Sequence, residues 1–204
     1  MTRFVLASAS PARLGLLRAA GIAAEVVVSG VDESTVPLSD PDTVAGTLAE
    51  LKGAAVAARL RALGTRAALV LGCDSVLAFD GAILGKPAGA DDARARWRAM
   101  RGRSGVLHTG HSLTDLAADR RVGRVAATTV RFAEVTDAEI DAYVATGEPL
   151  HVAGAFTLDG RSAPFIEGID GDHGNVIGLS LPLLRVLLAE LGTPITSLWA
   201  PATA

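Results

Sequence analysis

The feature that most constrains the fold of this chain is an uninterrupted apolar run, residues 67–73, that ends at a carboxylate, Asp74. A continuous run of this kind is typical of a β-strand that is covered on both faces, whereas a half-exposed strand alternates apolar and polar residues. Such a strand needs a sheet with helices packed on its faces. The run therefore predicts an α/β fold.

Two local signals predict where helices begin. Ser10 followed by Pro11, and Asp40 followed by Pro41, each combine a side chain that caps a helix with a proline suited to the first helical position. The first pair follows a short strand over residues 4–7. The N-terminal part of the chain therefore alternates strands and helices.

Strand pairs dominate the middle of the chain. Asp80 and Gly81 lie between two apolar runs, a pattern that predicts a β-hairpin. Thr136 and Glu139 have the spacing of a capping box, which predicts the start of a helix. Together these signals predict a mixed twisted sheet with flanking helices and a central cleft. The predicted elements are strands at 4–7, 25–29, 67–73, 76–79, 82–84, 106–114 and 122–132, helices at 11–21, 41–63, 91–100, 136–147 and 181–191, and a glycine-rich, strand-like stretch from 147 to 178.

Length and composition limit the organisation and the partners. The 204 residues are half hydrophobic, so residues 1–204 are expected to form a single domain, of one or two lobes, with 193–204 as a C-terminal tail. The formal net charge is −3 and the calculated pI about 5.8, so no broad basic field is available to bind nucleic acid or an anionic membrane. An anionic ligand would have to be small and bound locally.

The cysteine content and the hydropathy of the chain indicate the cellular compartment to be expected. The single cysteine, Cys73, excludes an internal disulfide and suits a reducing compartment. The apolar N-terminal stretch is broken by Ser8, Ser10 and Pro11 before it reaches export length, so we expect a cytoplasmic protein. No run of eighteen apolar residues occurs, and we expect no membrane span.

Lysine is scarce in this chain. Only Lys52 and Lys86 occur, against seventeen arginines. An ammonium is a compact charge that fits close to phosphate oxygens where the bulkier guanidinium does not. Both lysines are therefore candidates for a tight anion site, although a surface position is the ordinary alternative.

A second candidate lies between the first strand and the first helix. Ser8, Ser10 and Arg13 surround this turn, where free backbone N–H groups and the helix dipole can bind an anion such as phosphate. The alternative is a capping serine with an exposed arginine.

Two carboxylates are candidates for acid–base or metal chemistry. Glu33 lies in a polar loop and Asp74 at the end of the predicted buried strand, and ligand sites gather at carboxyl ends of strands. Taken alone, each is more often a turn residue. If they meet Lys52, Lys86 and Arg13, the set has the groups needed to hydrolyse a phosphoanhydride with a divalent metal ion. The four histidines lack the spacing of a zinc site.

Taken together, the motifs resemble the Maf family over nearly the whole chain. The resemblance is carried by residues 6–13, 31–33, Lys52, 72–75, 85–87, 102–103 with 108–110, 143–148, 153–156 and 171–179. An ordered set of motifs is far more specific than a single glycine loop.

The resemblance implies a cytoplasmic nucleoside triphosphate pyrophosphatase that cleaves between the α- and β-phosphates, giving a nucleoside monophosphate and pyrophosphate. It implies a mixed α/β sheet split by a cleft, similar to that of inosine triphosphate pyrophosphatases. Asp74 would be the proton acceptor and both lysines would be functional. The resemblance also implies a divalent cation, usually Mg²⁺ or Mn²⁺, and on the chemistry of their carboxylates we expect Glu33 and Asp74 to hold it.

Base selection stays open. Family members that act on thymidine and uridine triphosphates typically have arginine, threonine and glutamine where this chain has Ala12, Ser75 and Asp159, and the branch that prefers methylated guanosine triphosphate differs again. The alternative function is a nucleotide-binding regulator of cell division or septum formation with little catalysis. A homodimer is expected only as the common state of compact enzymes.

Overall fold

The computed structural model describes residues 2–37 and 39–199, which contain one mixed seven-stranded sheet with helices on its faces. The strand order is β2-β1-β3-β5-β6-β7, with β4 paired to β3; β1 is parallel to β2 and β3, and the other pairs are antiparallel. The predicted α/β class is confirmed. The strands are β1 Phe4–Leu6, β2 Ala24–Val26, β3 Leu69–Phe79, β4 Ala82–Leu84, β5 Ser104–Asp115, β6 Arg120–Phe132 and β7 Ile166–Asp170, and the helices are α1 Pro11–Ala19, α2 Pro41–Ala62, α3 Ala90–Met100, α4 Asp137–Ala145, α5 His173–Ile177 and α6 Leu181–Glu190.

The predicted helix starts are confirmed. The side chains of Ser10 and Asp40 each accept a hydrogen bond from the backbone N–H three residues further on, and a proline begins both helices. Thr136 and Glu139 form both hydrogen bonds of a capping box at the start of α4. These signals succeed because a cap is completed within one turn of chain.

Two hydrophobic clusters lie at opposite ends of the three long strands, β3, β5 and β6. One cluster packs α3 and α4 around Trp97 and Phe132, against the C-terminal ends of β3 and β6. The other packs α1 and α6 against the first half of β3, where Leu71 is fully buried. The middle of β3, which contains Asp74, lies between the clusters and at the cleft.

Helix α2 approaches the sheet unusually closely. A Cβ built on Gly72 of β3 would lie 2.1 Å from the backbone oxygen of Ala49 and 2.6 Å from the nitrogen of Gly53. A Cβ on Gly110 of β5 would lie 2.1 Å from the oxygen of Ala45. Only glycine permits this separation, because any side chain at either position would collide with helix backbone.

A buried histidine supports the start of α6. His111 on β5 accepts a hydrogen bond from the backbone N–H of Ser180, the cap of α6, at 2.9 Å, and its Nδ1 lies 3.0 Å from the oxygen of Thr109. The ring is therefore neutral, with the proton on Nδ1. Burial, reinforced by the charge of Arg13, lowers the pKa of His111 to about 4, although the Thr109 contact and Asp172 oppose the shift.

Two predictions about strands are wrong. Asp74 is not at the end of a strand: β3 continues to Phe79, because β5 pairs with it along its whole length and Asp74 itself faces Gly110. Residues 147–178 are not mainly strand-like, since they form short 3₁₀ turns, a single strand, β7, and the short helix α5. Gly147 and Gly154 have positive φ angles, and such a conformation interrupts an extended strand.

The chain after α6 packs back onto the fold. Residues Ile195–Leu198 form a 3₁₀ turn, and Trp199 forms a β-bridge with Ile22 and lies against Gly21. The remainder of the predicted tail, residues 200–204, lies outside the described residues. Among the helices described, none combines the length and the apolar content needed to cross a membrane.

The close contact between α2 and β3 is tested by Gly72→Ala. The added methyl group meets backbone atoms that cannot rotate away, so the free energy of unfolding should fall by about 2 kcal/mol or more, measured by urea denaturation. Gly53→Ala is the matched control, because its Cβ would have ordinary contacts, the nearest at 3.5 Å to the nitrogen of Gly72. Equal stability of the two variants would contradict this account of the packing.

The neutral His111 should make stability depend on pH. Because its folded-state pKa lies below the unfolded value, its contribution is complete above pH 6.5 and is lost as the pH falls towards 4. Between pH 7.5 and 5.0 the wild type should lose about 2 kcal/mol more unfolding free energy than His111→Gln, which cannot titrate. Parallel pH profiles for the two proteins would refute the assignment.

Candidate functional site

A cleft of about 770 Å³ lies beside the middle of β3, between α1, α2 and the chain segments before α3 and after α4. All site residues predicted from the sequence line this one cavity. Their functional roles remain predictions, but their convergence is a property of the structure. They are Ser8, Ser10, Ala12, Arg13, Glu33, Lys52, Asp74, Ser75, Lys86 and Asp159.

The turn between β1 and α1 forms one wall. Ser10 caps α1 and is half-buried, while the buried Ser8 accepts hydrogen bonds at Oγ from the backbone N–H of Ser10 at 3.2 Å and from Arg13 at 3.1 Å. Pro11 has no N–H and the N–H of Arg13 donates to Ser10. In the described part of the chain, the first turn of α1 therefore meets the cavity with the positive end of its dipole and one unbonded N–H, that of Ala12. This is an arrangement that favours anions.

Arg13 is buried, so the alternative of an exposed arginine is wrong. Its Nε donates to the oxygen of Gly178 at 2.7 Å, its Nη1 to Ser8 and to the oxygen of Cys73 at 2.9 Å, and its Nη2 to Ser75 at 3.0 Å. Four of its five N–H donors are used inside the protein. Arg13 therefore ties the first turn to β3 and to the segment before α6, and keeps one donor for a ligand.

Lys52 joins the two predicted carboxylates. It projects from the buried side of α2, and its Nζ lies 2.5 Å from Asp74 Oδ1 and 2.6 Å from Glu33 Oε1. The side chains of Lys52 and Asp74 are each only 10% exposed, whereas that of Glu33 is half-exposed. One buried ammonium therefore serves two carboxylates, and the three groups together carry a net negative charge.

The two carboxylates differ in basicity. Burial raises the pKa of Asp74 above the ordinary aspartate value, against the opposing charges of Lys52 and Arg13. For Glu33, burial is outweighed by the hydrogen bond from Lys52 and the nearby cations, which lower its pKa below the ordinary value. Asp74 is therefore the better proton acceptor. Among the residues described, none donates a hydrogen bond to its second oxygen, Oδ2.

The other predicted residues are more accessible. Lys86 and Asp159 are exposed at the cavity, whereas Ala12 and Ser75 are half-buried. Lys86 follows β4, and its charge acts on Glu33. The cavity also has apolar lining, including Val28, Leu48 and Phe156, which the sequence did not single out.

A buried network of hydrogen-bonded polar side chains behind Ser75 was not predicted from the sequence either. Ser75 Oγ lies 2.9 Å from Thr109 Oγ1, which donates at 2.9 Å to the backbone oxygen of Asn175. Thr109 and Asn175 are completely buried. Polar residues next to glycine in a strand and in a loop gave no signal that distinguishes this network from ordinary turn residues.

The acidic side chains of the cavity are candidate ligands for a divalent cation. No cluster of three or more histidine, cysteine or acidic side chains suited to a metal ion occurs in the described part of the chain. Glu33 and Asp74 do converge, since both contact the same ammonium. Two carboxylates with substrate phosphates and water are a normal ligand set for Mg²⁺, so these residues fit such an ion when a phosphorylated ligand is present.

The fold and the cleft define an α/β protein whose cavity combines the N-terminal end of a helix, a buried acid–lysine pair and an exposed lysine. A family model described as Maf-like protein matches residues 3–191, and the chain belongs to the Maf family.

Relatives of the chain are similar over nearly their whole length. A protein of Streptomyces coelicolor is 68% identical over 200 residues, covering 98% of this chain and 96% of the relative. A protein of Salinispora tropica is 62% identical, covering 98% and 89%, and one of Synechococcus elongatus is 56% identical, covering 97% of both. All three carry the name nucleoside triphosphate pyrophosphatase.

Proposed function

We propose that this protein is a nucleoside triphosphate pyrophosphatase, which hydrolyses the bond between the α- and β-phosphates to give a nucleoside monophosphate and pyrophosphate. The observation that carries the proposal is the convergence of Asp74, Lys52 and Glu33 with the N-terminal end of α1 on one cavity. The names of the full-length relatives support the same reaction.

In the proposed reaction, Asp74 accepts a proton from the water that attacks the α-phosphorus. Lys52 holds Oδ1, which leaves Oδ2 for that proton, and burial makes the carboxylate more basic than an ordinary aspartate. The new bond joins the water oxygen to the α-phosphorus. The bond to the bridging oxygen breaks, and its electron pair leaves with pyrophosphate.

Cationic groups stabilise the charge on the phosphates. We infer that Lys86, the backbone N–H of Ala12 at the start of α1 and the remaining donor of Arg13 contact phosphate oxygens, since these residues line the cavity. Their effect is largest where charge develops on the leaving pyrophosphate. The role of Lys52 is different, because its contact with Asp74 favours the ionised carboxylate and orients it, while its contact with Glu33 holds the second acid nearby.

A divalent cation, Mg²⁺ or Mn²⁺, held by Glu33 and Asp74 together with phosphate oxygens, would supply charge neutralisation when bound. The half-exposed Glu33 has a lowered pKa and is therefore ionised for this role at neutral pH. We further propose a cytoplasmic location, in keeping with the lone buried cysteine and a nucleotide substrate. The preferred base is left open, with Ala12, Ser75 and Asp159 as candidates for selecting it.

The reaction is tested with a panel of canonical and modified nucleoside triphosphates. We expect pyrophosphate and nucleoside monophosphate with Mg²⁺ or Mn²⁺, and loss of activity in EDTA that is reversed by adding the metal. Hydrolysis in ¹⁸O-water should put the label in the monophosphate, since water attacks the α-phosphorus. Diphosphate and inorganic phosphate as products would contradict the proposed cleavage site, and no turnover of any substrate would favour the nucleotide-binding regulator.

The proton acceptor is tested by Asp74→Asn. Asparagine keeps the shape and a contact for Lys52 but cannot take the proton, so kcat should fall about 10²–10⁴-fold while the protein stays folded by circular dichroism. Asp80→Asn is a matched control, because Asp80 is an exposed turn acid at the end of the same strand, and its activity should stay within about twofold. Near-normal turnover by Asp74→Asn would exclude the assignment.

A further inference from the structure

The position of Lys86 depends on the backbone around it. Lys86 lies in the short connection between β4 and α3, and its exposed ammonium makes no ion pair with the residues that the structure describes. A long, flexible side chain of this kind reaches a fixed point only if its own Cα is held in place. The contacts that hold this connection therefore determine how precisely the ammonium group is positioned.

One ion pair on α3 holds this connection on both sides of Lys86. Arg96 donates from Nη1 to the backbone oxygen of Gly85 at 2.7 Å, and from Nε and Nη2 to the two oxygens of Asp92 at 3.0 and 2.8 Å. Asp92 in turn accepts from the backbone N–H of Ala88 at 2.8 Å. The side chain of Arg96 is 15% exposed and that of Asp92 is 35% exposed, so the pair is partly shielded from water.

The same helix also fixes the neighbouring wall of the cavity. Gly154 donates its backbone N–H to the oxygen of Gly85 at 3.1 Å, so that oxygen accepts two hydrogen bonds. Trp97, next to Arg96, donates from its ring to the oxygen of Ala155 at 2.8 Å. Ala155 has a φ of 61°, a conformation that costs a non-glycine residue free energy and persists only where its surroundings enforce it.

We propose that Arg96 and Asp92 are positioning residues that hold the Lys86 connection in the geometry needed for catalysis. The inference rests on the proposed function, in which Lys86 contacts the leaving pyrophosphate. Arginine is required at position 96 because only its planar fork can bind both Asp92 oxygens and the Gly85 carbonyl together, whereas lysine is a single point charge. Fixing the backbone in advance removes ordering that the reaction would otherwise require.

The test uses Arg96→Lys and Asp92→Asn in the full chain, assayed by pyrophosphate release. Displacing a phosphate contact by about 1 Å should lower kcat/KM about 10- to 100-fold, with melting temperatures recorded for every variant. Arg94→Lys and Asp91→Asn are matched controls, since this pair lies on the same helix at 3.0 Å and contacts Asp141 instead of the connection. The controls should retain activity within about twofold.

A double-mutant cycle separates positioning from general destabilisation. In a Lys86→Met background, adding Arg96→Lys should cost at most about twofold more, because the group that Arg96 positions is already absent. If the two losses multiply, Arg96 does not act through Lys86 and the inference is wrong. If Arg96→Lys unfolds, the same cycle is run with the shape-conserving Asp92→Asn.

The outcomes distinguish this inference from the proposed function. A wild type that releases pyrophosphate while the Arg96 and Asp92 variants behave like their controls overturns the positioning role alone. A wild type that releases no pyrophosphate from any triphosphate overturns the proposed function and this inference with it.

Discussion

The contact between helix α2 and the sheet is the constraint on which the cleft depends. Glycines at positions 72 and 110 let the helix backbone lie directly on β3 and β5, with no side chain between them. Lys52 projects from that helix, and Asp74 lies two residues beyond Gly72 on the same face of the strand. The short distance between helix and strand is therefore what allows a lysine to meet the acid at 2.5 Å.

The resulting site carries an electrostatic cost that the rest of the fold must offset. A buried ion pair gains little net stability, since both charges lose their hydration. Here a single ammonium also serves a second carboxylate, Glu33, so the group stays negative. The two hydrophobic clusters at the ends of the long strands provide the rigid frame in which such an arrangement persists, and a divalent cation would offset its negative charge in the proposed reaction.

Both walls of the cleft are held by side chains that contact backbone. Arg13 links the first turn to the oxygen of Cys73 and to the segment before α6, and α3 anchors the connection that carries Lys86. Hydrogen bonds from charged donors to carbonyl oxygens are strong and directional, so they fix loops that lack regular secondary structure. These polar side chains therefore hold the loops of the site in place, in addition to offering groups that can contact a ligand.

By itself, the sequence determined the local structure: the caps at Ser10 and Asp40, the hairpin and the buried strand are encoded within a few residues, and the scarcity of lysine pointed to Lys52 and Lys86. It misjudged the turns of residues 147–178, where glycines between apolar residues imitate a strand. Only the tertiary structure decided that Asp74 lies within β3, that Arg13 is buried, and that α3 holds the Lys86 connection. These facts depend on strand pairing and on contacts between residues far apart in the chain, which no local pattern records.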